Sequence, residues 1–282
     1  MKILILSYNN CNNFGDRLGL DLLQRLLPPE AQISLSPLPP FWEEPEGVFD
    51  LVIVGTGHSI FHKTLDYKFL DFLECQRYVV GIFGLQYFSL LPIERLNRFF
   101  SIIDCWFSRS NYDIDFLGLT DSLPEKFAHL GDWLINAFPI VSWTDNRTCS
   151  IHADFINSQK DIQRTIQYIQ GFRRLSSARL HPILCALTSA DEVRFQEQAE
   201  MGSDCISGKF HSMFLDVFGS SPGPGEWFNV DRHIVKKYKS FVYSNTELMR
   251  EHIWNFLDLP SPSLSKKDLV SFVHSISQKP PQ

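Results

Sequence analysis

Short apolar runs alternate with amphipathic stretches along the first half of the chain. Residues 2–7 are apolar up to Ser7 and predict a buried first strand. An Asn-rich loop follows, ending in Asn13-Phe14-Gly15-Asp16. Leu18, Leu20, Leu22, Leu23, Leu26 and Leu27 then line a helix that Pro28-Pro29 stops. After a Pro-rich connection (Pro37, Pro39, Pro40, Pro45), residues 50–54 are apolar on both faces, as in the interior of a parallel sheet. This run ends in Gly55-Thr56-Gly57-His58-Ser59. The pattern next predicts a helix over 67–73, a third strand over 78–84 and a helix over 93–103. A fourth strand with its exit spans 105–110, a short helix 112–117, and a turn runs from Lys126 to Asp132.

Periodicity lapses over 139–147, and a second βα series begins beyond it. Strands are predicted at 148–152 and 172–176, with an edge strand at 192–195. Helices are predicted at 160–170, 179–188, 209–218 and, after a Gly/Pro turn over 220–225, at 246–257. The tail from Pro260 carries Ser, Pro and Lys, with a short helix near 268–276, and is otherwise expected to be flexible. Strands alternating with helices argue a doubly wound α/β fold. The expected division is 1–140 for an N-terminal Rossmann-like unit, 148–258 for a C-terminal α/β unit, and 259–282 for the tail.

Composition narrows the function classes. The 282 residues suit two domains, and 44% apolar with 21% charged residues excludes a disordered or collagen-like chain. A net charge of −6 without a Lys/Arg stripe argues against nucleic-acid binding. The N-terminal apolar stretch is too short for a signal peptide, and the apolar run over 78–93 falls short of a membrane span, so a cytoplasmic protein is expected. Six scattered cysteines show neither CxxC nor metal spacing and read as free, buried thiols. His58, His62, His152 and His211 form no metal-type spacing with carboxylates, so no metal site is expected.

Ligands of open parallel sheets bind beyond the carboxyl ends of the strands. The candidates there are Asn13, Gly15 and Asp16; Gly55, Thr56, Gly57 and His58; Gly84 and Gln86; Arg109 and Ser110; Asp132; and, in the second half, Arg179 and His181. Gly55-Thr56-Gly57 suits backbone contact with a phosphate, carboxylate or sugar hydroxyl, and equally an ordinary tight turn. Ile60 replaces the third glycine of a dinucleotide fingerprint, and no P-loop pattern occurs. Asn13 to Asp16 also reads as a helix cap. Arg179 can clamp a phosphate or carboxylate, and His181, two residues on, can give or take a proton; a surface Arg and a packed His fit the same pair.

Four elements in order resemble the polysaccharide pyruvyl transferase family. They are Asn13-Phe14-Gly15-Asp16 before a Leu-rich helix, Asp50-Leu51-Val52-Ile53-Val54-Gly55-Thr56-Gly57, Ser108-Arg109-Ser110 leading to Leu117, and Arg179-Leu180-His181 opening a helix. The resemblance covers roughly residues 1–219. The chain departs from the family in having Gly-Thr-Gly for a triple glycine, and Thr188-Ser189-Ala190-Asp191 where a Gly-Pro element is expected.

The resemblance implies two Rossmann-like domains facing across a cleft (GT-B-like), with the last helix crossing back to the first domain. It implies transfer of a pyruvyl group from phosphoenolpyruvate to hydroxyls of a cell-surface polysaccharide or its precursor. Phosphoenolpyruvate is then the donor substrate and no separate cofactor is expected. Arg109, Arg179 and Lys209 are the expected cations and His181 the general acid, with Asp16 or His58 as base. Asn13, Gly15, Gly55, Thr56, Gly57 and Leu180 complete the expected substrate site. Trp42, Tyr87 or Trp133 could stack on a sugar. A GT-B glycosyltransferase using a nucleotide sugar and a non-catalytic glycan-binding relative are the alternatives, and the sequence leaves a homo-oligomer open.

Overall fold

The computed structural model describes residues 1–8, 13–117, 126–151 and 160–261, which form a mixed α/β fold with two sheets. The first half contains β1 (Lys2–Leu6), α1 (Phe14–Leu26), β2 (Gln32–Ser36), β3 (Leu51–Val54), β4 (His58–Ile60), α2 (Tyr67–Glu74) and β5 (Val79–Leu85). It continues through α3 (Ile93–Ile102), β6 (Cys105–Ser108), α4 (Tyr112–Leu117) and β7 (Phe127–His129). The large sheet has the order β2-β1-β3-β5-β6-β7, with every pair parallel and β4 on the end of β5.

Its central strands are buried on both faces, which is why they read as continuous apolar runs. Ile3, Ile5, Leu51, Ile53 and Ile82 pack with the Leu face of α1. Leu4, Leu6, Val52, Val54 and Phe83 point the other way, into the layer of α2 and α3.

The second half contains β8 (Asp145–Ile151), α5 (Lys160–Gln170), β9 (Phe172–Ser177), α6 (Leu180–Ala186), β10 (Glu192–Phe195), α7 (Lys209–Phe218), β11 (Phe228–Asn229) and α8 (Arg232–Phe256). The sheet order is β11-β10-β9-β8, parallel except for β11. Strand β10 is therefore not an edge: Val193 pairs with Phe228 of β11. One apolar core runs through both sheets, from Ile3 and Phe14 to Leu175, Phe195 and Phe214.

Helix α8 begins at Arg232, well before the expected 246, because Val235, Tyr238 and Val242 extend the stripe of Thr246, Met249 and Ile253 among basic residues. It crosses back onto the first half. Trp254 Nε1 donates to Leu26 O (2.8 Å), and Asn136 Nδ2 donates to Thr246 Oγ1 (2.9 Å). Lys239 donates to the carbonyls of Ile135 (2.9 Å), Asn136 (3.2 Å) and Phe138, and burial pushes its ammonium down to about 8.

Other differences are local. The segment after Lys126 holds β7 and a single-turn 3-10 helix, Trp133–Ala137, rather than a turn alone. Cys75 is exposed, while Cys105, Cys149 and Cys185 are buried; Cys11 lies outside the described residues. So do most of the tail and its expected helix. Among the described residues no helix is long and apolar enough to cross a membrane.

Candidate functional site

Strands β1 and β3 are neighbours, and the chain leaves β1 toward β2 on one side and continues to β3 on the other. That reversal is the topological switch point of a doubly wound sheet, where a crevice opens at the carboxyl ends. Asn13 and the Gly55–His58 segment follow those two strand ends.

Asn13 caps α1: its Oδ1 accepts from the amides of Gly15 (2.9 Å) and Asp16 (3.3 Å). The cap aims the first turn of α1 at α6 of the second half. There the His181 ring lies against Gly15, so closely that a Cβ on residue 15 would fall 1.7 Å from His181 Nδ1. Gly15 thus acts by its missing side chain, and its amide is committed to the cap. Arg179 is the first, non-helical residue of α6, with its amide on Ser177 Oγ (2.9 Å).

Behind His181 stands Arg109, at the end of β6. Its side chain is fully buried and ion-paired with buried Asp132. Arg109 Nη2 is 3.5 Å from His181 Nε2, while Nε and Nη1 have no hydrogen-bond partner among the described residues. Asp132 is fixed in turn: its amide donates to Tyr238 Oη (2.7 Å), and Tyr238 donates to Asp216 Oδ2 (2.9 Å). Tyr238 lies on α8 and Asp216 on α7, so three parts of the chain hold one guanidinium. Burial also raises the Asp132 carboxyl, against the opposing pull of Arg109. Nearby Asp113 accepts from Leu85 N (3.0 Å) and Ser108 Oγ (3.3 Å), and burial pushes its carboxyl up to about 8.

In front of His181 lies a cavity of about 400 Å³, lined by residues from both halves of the chain. Asn13, Asp16, His58 and His181 line it, with Arg179, Lys209 and Lys63 as cations. Burial holds both imidazoles well below 6.5, and the positive charges of Arg109 and Lys209 push in the same direction. Both rings are neutral at pH 7. The lining also includes Tyr8, Phe41, Phe61 and Tyr87, together with Gln198, which accepts from Lys209 Nζ, and Glu200, which is ion-paired with Lys63. Tyr87 adopts the left-handed conformation (φ 53°, ψ 50°), which costs a non-glycine residue about 1–2 kcal/mol.

The expected site residues are thus partly gathered. Asn13, Asp16, His58, Arg179, Leu180, His181 and Lys209 line the cavity. Gly55 and Thr56 do not. The Gly55 amide is spent on Leu6 O (2.7 Å), and its φ of +81° beside Phe83 makes it a turn glycine. Thr56 is buried against α1 near Gly19, with its carbonyl taken by Trp133 Nε1 (3.3 Å). A Cβ on Gly57 would meet Arg109 Nη1 at 3.0 Å, so this glycine makes room for the guanidinium. Arg109 is behind the cavity wall, sealed off by burial and its pairing with Asp132. Of the aromatic candidates, Tyr87 lines the cavity, Trp133 is core, and Trp42 packs edge-on against Phe69 (5.5 Å).

Sequence reasoning marked Gln86 and Asp132 only by position and missed Tyr8, Phe41, Phe61, Gln198 and Glu200. Among the described residues no group of three or more His, Cys, Asp or Glu is arranged to hold a metal ion.

No family model matches the chain, and no curated protein matches it. Among solved structures, it is similar to the functionally uncharacterised KP1_0663 from Klebsiella pneumoniae subsp. pneumoniae NTUH-K2044. Identity is 14% over 76% of this chain and 87% of that one, with a TM-score of 0.44. It is also similar to a UDP-GlcNAc 2-epimerase from Neisseria meningitidis bound to UDP-GlcNAc, at 13% identity over 99% of both chains, with a TM-score of 0.35.

Proposed function

We propose that this protein transfers a pyruvyl group from phosphoenolpyruvate to sugar hydroxyls, in a cleft between two Rossmann-like units. The observation that carries the reading is the seating of a buried imidazole, His181, on Gly15, with Arg109 behind it and Arg179 and Lys209 beside it. Phosphoenolpyruvate is a small, multiply charged anion with a phosphate and a carboxylate. Arg179 suits bidentate recognition of either group, and Lys209 supplies a second charge.

The reaction needs a proton at the methylene carbon (C3). Its arrival leaves cationic character at C2, which a sugar hydroxyl attacks while losing its proton to a base. Phosphate departs with the electron pair of the C2–O bond, which renews the cationic character at C2; a second hydroxyl attacks there and closes the ketal, giving its proton to the base or to the departing phosphate. Burial first, and the neighbouring positive charges second, lower the His181 imidazole. An anion beside it opposes the second cause and favours the protonated form that a general acid needs. A positioned acid of this kind contributes about 10²–10⁴ in rate. Asp16 and His58 line the same cavity and are the candidate bases.

A thermal-shift titration tests the donor. Phosphoenolpyruvate at 100 times its Kd stabilises by about 2.7 kcal/mol, a rise in Tm of about 4–5 °C for a chain of this size, whereas nucleoside diphosphates leave Tm unchanged. A shift with nucleoside diphosphates alone overturns the reading in favour of a nucleotide-sugar transferase. His181→Ala is expected to keep the fold and to lower phosphate release in the presence of acceptor by about 100-fold or more.

A further inference from the structure

One loop engages two of the cations that line the cavity. Between β10 and α7 the chain forms a short hairpin. An antiparallel bridge joins Ala199 to Ile206, Glu200 N donates to Cys205 O (2.9 Å), and Ser207 N donates to Gln198 O (2.8 Å). Gln198, at the stem, accepts from Lys209 Nζ. Glu200, beyond the bridge, is ion-paired with Lys63 of the first half. His62 Nε2 lies 3.8 Å from the same carboxylate. The hairpin thus places an amide oxygen on one lining lysine and a carboxylate on the other.

The stem is fixed and the tip is loose. Ser207 O accepts from Tyr87 N (3.1 Å), and Ser207 Oγ donates to Glu197 (2.8 Å). At the tip, Met201 is 93% exposed, and Gly202 turns with φ +79° in open space. The Lys63 side chain is about half exposed, so its pair with Glu200 is a weak one. Glu200 can leave Lys63 without disturbing the core.

We infer that Lys63 is a further anion-binding residue of this cavity, and that Glu200 is an internal stand-in that occupies it until a ligand arrives. A carboxylate on an ammonium group has the charge and the acceptor atoms of a ligand carboxylate or phosphate. A ligand with two anionic groups needs cations in two places. Arg179 and Lys209 serve one, and Lys63 lines the same cavity. A multiply charged ligand outcompetes a single carboxylate for Lys63. The displaced Glu200 is then repelled by the ligand, and the hairpin tip moves away. The inference rests on the proposed anion site and not on which anion fills it.

Calorimetric titration of phosphoenolpyruvate and, separately, uridine diphosphate into the wild type, Glu200→Gln, Lys63→Ala and the double variant is the test. Hydrogen exchange of the amides over 199–206 is the second readout. Glu200→Gln keeps the side-chain size and removes the charge. It is expected to bind phosphoenolpyruvate about tenfold more tightly than the wild type, and Lys63→Ala about tenfold more weakly. The double variant is expected to stay within about twofold of Lys63→Ala, because the gain from removing Glu200 acts through Lys63. The hairpin amides are expected to exchange faster in Glu200→Gln, and faster in the wild type once phosphoenolpyruvate saturates it. An affinity unchanged by Glu200→Gln, a tenfold gain that persists without Lys63, hairpin exchange that ignores bound anion, or binding of neither anion by any of the four proteins overturns the inference. Uridine diphosphate alone binding, with the same order among the variants, overturns the pyruvyl reading and leaves the roles of Lys63 and Glu200 standing.

Discussion

A methyl group on Gly15 would lie inside the His181 ring, so Gly15→Ala must displace the imidazole or the helix start. In isolation Ala favours a helix over Gly. The substitution is therefore expected to destabilise the wild type but to be neutral or stabilising in a His181→Ala background. The coupling should be about 0.5–3 kcal/mol in a denaturation double-mutant cycle. Equal effects in both backgrounds would mean that the two residues do not touch.

The imidazoles also set a pH dependence. His58 and His181 are held below 6.5 by burial and by neighbouring cations, so below about 6.5 the unfolded chain binds more protons than the folded one. Their contribution to stability is present above that pH and is lost as pH falls toward 5. Replacing both with Asn is expected to flatten the slope of Tm between pH 7 and about 5; an unchanged slope assigns the acid sensitivity elsewhere. At this scale the sequence pointed to residues that line one cavity and said little of how they are held. Asn13, Asp16 and His181 were visible by motif. That Gly15 works through absence, and that Arg109 is sealed behind the wall, depends on packing that no spacing encodes.

Elements place these groups, and α8 does so from furthest away in the chain. Its Tyr238 joins Asp132, the partner of Arg109, to Asp216 of α7. Tyr238→Phe leaves the Asp132 amide and the Asp216 carboxylate each short of a partner in a buried setting. The expected cost is about 1–3 kcal/mol in urea unfolding, and a cost near zero would show that water replaces the hydroxyl. Asp113, pushed up to about 8, acts in the opposite pH sense to the histidines. The unfolded carboxyl ionises near 4 and the folded one near 8, so its contribution falls as pH rises between those values. Asp113→Asn removes that loss, and its gain in Tm is expected to be larger at pH 8 than at pH 5.

Long apolar strands such as β3 and β5 were legible because both faces are buried. Strand β2 was not, since Gln32, Ser34 and Leu35 are exposed on a sheet edge, and Pro37 follows directly. Two-residue β11 is too short to leave a pattern, so β10 read as an edge.

For the whole molecule, two sheets share one continuous core, and α8 straps the second half to the first. The cavity between them is accordingly built from parts distant in sequence: the start of α1, the start of β4, the start of α6 and the segment leading into α7. The repeated βα rhythm announced both sheets, and the carboxyl-end rule pointed to Asn13, Asp16, His58, Arg179 and His181, which line the cavity. Its aromatic lining was not legible, because Tyr8, Phe41 and Phe61 lie in connecting segments whose aromatic residues are indistinguishable in sequence from core.

The central claim is that the cavity binds a small anion against His181. A structure determined with phosphoenolpyruvate tests it most directly. The account predicts the phosphate or carboxylate at Arg179 and Lys209, with the methylene carbon facing the His181 imidazole. Phosphoenolpyruvate bound outside this cavity, or absent at a concentration where a nucleoside diphosphate occupies it, would contradict the account.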